Sequence, residues 1–499
     1  MHLHIDEYAG LDSPIHRWNP RVKFTALFLL IIAFSLVQDL RLAPIMLAIT
    51  AVLYAISNMP LHFLISRLRY PGFFLLALIV ILPVFTGQTV IARLGPISIQ
   101  SEGVEYMLLV VSRFVSILTM SLLIFGTTTF IVTVRTLRLI GIPPLLTDML
   151  LLTVRYIFEF ADMLSRMQRA MRMRGFEMSK LNRRGMSQLA GLMGTLLIRS
   201  YEQAERVYKA MRLRGYGATA ADKEQAMHIT DYHTGALALN LADVMFAYPG
   251  RPPALNSVSL RIEQGERVGL IGPNGAGKTS LFLAICGVLK PSGGTVMLYD
   301  QPVVSGKYHP AIGLVFQNTD DQLFSPTVRE DIAFGPVNLG LDEAEVEKRT
   351  QEALQLTGME HLIDRAPHHL SGGEKRMVSI AGVLAMKPGL VLYDEPDANL
   401  DMRARRRLIH FLQHAPHTLI VASHDLEMIL EVCDRVILLD GGQIIADGPP
   451  SDIMADVELM EAHGLEKPHS LVPHLHSDGS HHPLAPVEVE APAALRNDT

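Results

Sequence analysis

A chain of 499 residues exceeds what one hydrophobic core organises, since domains hold roughly 100–200 residues each. With 49% hydrophobic and 19% charged residues and a mean hydropathy of +0.25, it is too apolar for an average soluble protein and too polar for one wholly inside a bilayer. A membrane part joined to a soluble part fits. The net charge of -6 offers no case for nucleic-acid binding, and Cys286 and Cys433, which lack metal-ligand spacing, read as buried thiols in a reducing compartment.

In chain order, Met1 to Asn19 mixes His, Asp, Glu and Pro where a secretory signal would need an apolar core, so the chain is expected to start inside the cell. Four apolar stretches follow, about Lys23 to Val37, Leu42 to Ile56, Phe73 to Ile91 and Val104 to Phe125, against the roughly 20 residues that a span needs. Arg17, Arg21, Lys23, Arg67, Arg69, Arg135 and Arg138 all fall on one side, and Arg41 and Arg93 on the other. Basic residues concentrate on the cytoplasmic face, so both ends of this bundle are expected there.

Two long helices are expected next, over residues 145–178 and 187–216. The first carries Asp148, Arg155, Glu159, Asp162, Arg166, Arg169 and Arg172, which would be costly in lipid. It is therefore read as lying partly against the membrane and partly in the cytoplasm. If the apolar starts of both helices cross, the count of spans rises from four to six with unchanged parity. Both helices end in the same eight-residue pattern: a basic residue, Ala-Met-Arg, an apolar residue, then Arg174-Gly175-Phe176 in one and Arg214-Gly215-Tyr216 in the other. Ordinary helix ends share the glycine and the basic last turn; the repeat, pairing arginine with an aromatic, also suits a docking device.

Beyond a polar linker at 218–235, Leu237 to Phe246, Leu255 to Glu263 and Arg267 to Ile271 read as strands. The third leads into Gly272, Pro273, Asn274, Gly275, Ala276, Gly277, Lys278, Thr279 and Ser280, matching GxxxxGK[ST] between a strand and an apolar helix. In such a loop backbone N–H groups wrap phosphates, lysine reaches the outer phosphates and threonine can hold Mg2+. Leu390 to Asp394 is a buried-strand pattern closed by Asp394 and Glu395, candidates for a Mg2+ partner and for the base that activates water.

Leu370, Ser371, Gly372, Gly373 and Glu374 resemble the signature motif of ABC ATPases, and the resemblance extends from about Leu237 to Gly448. It implies that Tyr248 stacks on adenine, Gln317 is the Q-loop glutamine and a Mg2+ partner, Asp401 is the D-loop aspartate and His424 is the switch histidine. Asp397 departs from the more usual Thr. In that family ATP is sandwiched between the phosphate loop of one domain and the Ser-Gly-Gly of another, which implies a second ATPase domain from another copy or another subunit. The run Phe316 to Phe324, the entry segment His16 to Lys23 and the paired Arg-Gly ends are similar to energy-coupling factor transporters, with a transmembrane T component fused to an ATPase. The resemblance implies that Arg174, Gly175, Arg214 and Gly215 couple the halves; Asp320 and Asp321 are candidate acidic partners.

The expected architecture is multidomain: an all-α membrane domain over 1–217, an α/β P-loop ABC ATPase over 236–466 and a His-rich tail over 467–499. ATP and Mg2+ are the implied cofactors. A separate substrate-binding membrane subunit and the lipid bilayer are implied partners, at the cytoplasmic membrane. Resemblance to the cobalt/nickel group, with His2, His4, His463, His469, His474, His476, His481 and His482, favours Co2+ or Ni2+, since imidazole suits both; a vitamin is the alternative cargo and an ABC exporter the rival fold.

Overall fold

The computed structural model describes residue 8 and residues 10–94, 97–173, 183–219 and 237–472. The chain divides into two compact units: Met1–Val207 with Phe324–Asp331 and Ala366–His368, and Tyr208–Leu323 with Ile332–Arg365 and His369–Thr499.

In the first unit, α1 (Pro20–Leu36), α2 (Ala43–Ile56), α3 (Leu61–Phe85) and α4 (Ser101–Gly126) carry the four apolar stretches, followed by α5 (Phe130–Leu139), α6 (Pro144–Met173) and α7 (Arg183–Leu213), whose last residues belong to the second unit. Asn19 caps α1 by accepting from the Arg21 N–H, with Pro20 in the first turn, where a missing N–H costs nothing. Pro71 interrupts α3, which bends by 58° between Leu61–Arg69 and Pro71–Phe85 because proline removes a donor and clashes with the preceding turn. Among the described residues α4 alone is long and apolar enough to cross a membrane as one helix, and bent α3 is a second if taken as one span. Leu27, Phe34, Met46, Tyr54, Met120 and Leu123 form the core between α1, α2 and α4.

The third apolar stretch is shorter than expected. Helix α3 ends at Phe85, and Val90 and Ile91 lie instead in a hairpin of β1 (Val90–Leu94) and β2 (Ile97–Gln100). The Glu102 carboxylate accepts from the Gln88 and Thr89 N–H groups at 3.3 and 3.2 Å, which satisfies backbone donors outside any helix.

The second unit alternates strand and helix: β3 (Leu237–Ala247), β4 (Pro253–Glu263), β5 (Arg267–Ile271), α8 (Lys278–Ile285), β6 (Gly293–Leu298), β7 (Gln301–Pro302) and β8 (Ile312–Val315). Then come α9 (Thr319–Gln322), α10 (Val328–Asn338), α11 (Glu343–Thr357), α12 (Gly372–Leu384), β9 (Leu390–Asp394), α13 (Met402–Gln413), β10 (Thr418–Ala422), α14 (Leu426–Val432), β11 (Arg435–Asp440) and β12 (Gln443–Gly448). The main sheet runs β12-β11-β5-β10-β9-β8, parallel except for β12, and an antiparallel sheet runs β4-β3-β6-β7. Strands β9 and β10 are buried throughout, which explains their unbroken apolar runs. This is the expected α/β ATPase fold. Because β5, β10, β9 and β8 are parallel neighbours, the segments after their carboxyl ends meet along one edge, where open α/β sheets bind ligands.

Candidate functional site

Each of those four strands delivers one part of the site. Gly272 to Gly277 follow β5 and α8 starts at Lys278. Gly277 caps α8 at φ +108, and a Cβ there would meet the Ala254 carbonyl oxygen at 2.4 Å; no other residue fits so close to backbone. The loop thus presents a helix N-terminus, a ready-made anion site. Lys278 Nζ donates to the carbonyls of Gly272 and Pro273 at 2.7 and 3.1 Å, and burial holds its pKa below the usual lysine range.

After β9 stand the two acids. Thr279 Oγ1 donates to Asp394 Oδ2 at 2.9 Å, and burial pushes the Asp394 pKa up to about 6 despite that bond. A hydroxyl and a carboxylate so close are the hard oxygen donors that Mg2+ takes. Glu395 occupies the left-handed region at φ +45, a strained state for a residue with a side chain, and its N–H donates to the Ala422 carbonyl at 2.8 Å. Its carboxylate is held from two sides: Gln317 Nε2, beyond β8, donates to Oε2 at 2.5 Å, and His424 Nε2, beyond β10, lies 3.1 Å from Oε1.

Tyr248, Asn274 to Ser280, Gln317, Glu395 and His424 line one cavity of about 660 Å3. Tyr248 is 36% exposed, and its hydroxyl lies 3.3 Å from Ser280 Oγ. Ser371, Gly372, Gly373, Glu374 and Asp401 are not among the described residues lining it. Ser371 instead caps α12 through a capping box with Glu374, whose carboxylate accepts from the Ser371 N–H at 2.8 Å. Asp401 caps α13, accepting from the Ala404 N–H at 2.8 Å. Asp397, standing where Thr is more usual in the resembled family, accepts from Ser423 Oγ at 2.7 Å.

The end of α7 packs within the same unit. Leu213 joins the core of the sheets, and Arg214, 1% exposed, is among the largest fully buried side chains of the described residues. A Cβ on Gly382 of α12 would meet Arg214 Nη2 at 2.7 Å, so a bare backbone at 382 makes room for the guanidinium. Asn338 Nδ2 donates to the Arg214 carbonyl at 3.3 Å, Gly215 faces Tyr308 and Asn338, and Tyr216 stacks on Phe334 at 6.4 Å. Asp320 accepts from Lys375 at 2.7 Å and Asp321 from Asn318 at 3.0 Å. Arg174 and Gly175 lie outside the described residues, as do His2, His4 and the tail beyond 472. The sequence reading missed Gly382, Asn338 and Arg376; the one available signal was an arginine one turn into a largely apolar helix.

Comparison with known proteins adds the family. A profile described as "Cobalt transport protein" matches residues 12–226, and one described as "ABC transporter" matches residues 255–398. An ABC transporter ATP-binding protein of Synechocystis is 56% identical over 234 residues, 47% of this chain and 82% of that protein. An energy-coupling factor transporter ATP-binding protein of Methanothermobacter thermautotrophicus is 47% identical over 238 residues, 46% of this chain and 76% of its own length. Its counterpart in Methanocaldococcus jannaschii is 42% identical, over 45% of this chain and 84% of that protein. A solved Clostridium perfringens structure, described as part of the ABC transporter complex cbiONQ, is 36% identical with a TM-score of 0.41, covering 46% of this chain and 94% of its own. A helical cobalt-transport-type membrane domain is thus followed by an ABC ATPase, and the chain belongs to the energy-coupling factor family of ABC transporters.

Proposed function

We propose that the chain is the fused membrane and ATPase module of an importer for Co2+ or Ni2+, working with a separate substrate-binding membrane subunit. Family membership makes it an ATP-binding transport ATPase associated with the membrane. The match of residues 12–226 to a cobalt transport family supports the metal cargo, as do the terminal histidines, whose imidazoles suit both ions.

The proposed chemistry follows the side chains. Glu395 is the general base for the attacking water, oriented by Gln317 and His424. Lys278 and the loop N–H groups take the phosphates, Ser280 lies beside them, and Tyr248 takes the adenine. Thr279 and Asp394, with Gln317, would hold Mg2+, which supplies charge neutralisation at the phosphates when bound. Ser371, Gly372 and Gly373 stand at the start of α12, outside the lining of the chain's own cavity, and serve the site of a second ATPase domain, either another copy or a separate subunit. The bundle crosses the cytoplasmic membrane several times with its N-terminus and ATPase in the cytoplasm, 218–235 acting as linker.

One observation carries the coupling: Arg214 is buried against Gly382 of α12, the same helix whose first turn is the Ser-Gly-Gly. ATP-driven movement of α12 therefore pulls directly on α7, and Arg174 is assigned the equivalent place on the second ATPase domain. The test is uptake of radiolabelled Co2+ and Ni2+ by proteoliposomes holding the full chain and a candidate substrate-binding subunit. Arg174→Glu with Arg214→Glu should abolish uptake while ATP hydrolysis stays within about threefold. Normal uptake by that variant would refute the coupling, and transport of a vitamin with neither metal would refute the cargo.

A further inference from the structure

Arg376 lies one turn into α12 and is 2% exposed. Its guanidinium donates from Nη1 to the Phe316 carbonyl and from Nη2 to the Gln317 carbonyl, both at 2.6 Å, and Nη2 reaches the Glu395 carbonyl at 3.4 Å. One planar fork therefore grips the backbone of two residues whose side chains also meet, Gln317 and Glu395. Arginine suits this because its donors are fixed relative to one another, whereas lysine offers a single swivelling ammonium.

The grip falls where the backbone has most reason to relax. Glu395 holds a positive φ, which costs a residue with a Cβ about 1 kcal/mol or more. The strain persists because neighbours over-determine it: the Ala422 carbonyl takes the Glu395 N–H, and Arg376 takes its carbonyl oxygen. Burial lowers the Arg376 pKa only to about 10, so the fork stays charged at neutral pH. Beside it, Lys375 pairs with Asp320 of α9 at 2.7 Å, pinning the segment just past Gln317 to the same helix.

We infer that Arg376 is a positioning residue for hydrolysis: it fixes Gln317 and Glu395 relative to each other and ties both to the helix that begins with Ser371, Gly372 and Gly373. The hydrolytic pair of a chain's own site and the Ser-Gly-Gly it offers elsewhere then move as one body. Arg376 is not among the residues lining the cavity, so its loss acts on the rate of the bound state and leaves ATP affinity alone.

The test uses the full chain in detergent, with kcat normalised to sites titrated by TNP-ATP. Arg376→Met keeps the length and apolar bulk but donates nothing; its kcat per site should fall about tenfold or more while KM for ATP moves less than about twofold. Arg376→Lys can reach one carbonyl and should recover part of the loss. A purely structural role would lower the melting temperature and the number of ATP-binding sites with kcat per site unchanged, and that result overturns the inference, as does a rise in KM matching the fall in kcat. Should Arg376→Met fail to fold, Arg376→Lys decides: an unaltered kcat per site refutes the idea. Wild-type chain that binds TNP-ATP but hydrolyses nothing would indict the ATPase reading instead.

Discussion

The two units differ in the apolar surface they leave outside. In the ATPase unit Leu392, Val421 and Ile437 are fully buried, whereas in the helical unit Phe73 is 82% exposed and Leu36 is 71% exposed. Beside its apolar core the helical unit also buries polar groups: Lys23 is buried with Nζ donating to the Thr127 carbonyl at 3.0 Å, and Thr119, Thr133 and Thr136 are buried too. Water drives apolar side chains inward; lipid tails are as apolar as leucine and exert no such drive. Inward threonines bond their own helix, as Thr119 does to the Val115 carbonyl at 2.7 Å. A large apolar side chain on the outside therefore means something different in the two halves, and hydropathy is informative only once the surrounding solvent is known.

The sharpest way to separate the halves is Glu395→Gln. It should cut phosphate release at least about 100-fold if it removes the proposed base, while TNP-ATP binding and detergent-purified yield stay normal. Loss of binding together with turnover would show that Glu395 holds the site together instead of activating water. A matched pair of truncations tests the burial contrast itself. Leu392→Ala should destabilise the ATPase unit by about 3 kcal/mol, and Leu36→Ala should change the detergent-solubilised protein by less than about 0.5 kcal/mol. Equal costs in thermal melts would erase the distinction.

A smaller effect is expected from His417, which stacks on Tyr393 and lies 2.9 Å from its hydroxyl. Burial pulls its pKa down to about 4. Because the folded form is depressed below the unfolded value of 6.5, the unfolded chain binds the proton first. Stability is full above about pH 6.5 and is lost as pH falls toward 4, by about 3 kcal/mol. His417→Gln should flatten that slope in melting curves of the ATPase unit; an unchanged slope would assign the acid sensitivity to other groups.

Legibility followed locality. Arg267 to Ile271 is a strand in the sequence pattern and in the structure alike, and Leu237 to Phe246 differs by one residue at its end, because alternation and turn glycines act within a few positions. The third apolar stretch misled because Val90 and Ile91 continue the hydropathy of α3, whereas the chain leaves the helix before them and its freed Gln88 N–H is taken by a carboxylate fourteen residues on. Helix α5, ten residues long, gives too short a period to stand out.

By itself the sequence determined the kinds of chemistry present: a glycine loop before a lysine and threonine, two acids closing an apolar strand, a Ser-Gly-Gly opening a helix, and an Arg-Gly motif that occurs twice. Those are short-range patterns, written in consecutive residues. Tertiary structure alone decided that Gln317 and His424 clasp Glu395 from strands on either side, that Arg376 holds the backbones of Gln317 and Glu395, and that Arg214 lies where Gly382 has no side chain. Each of these joins residues from 19 to 168 positions apart, or, for Gln317 and His424, flanking strands of one sheet. Such pairings follow from strand order and packing, which no local pattern encodes.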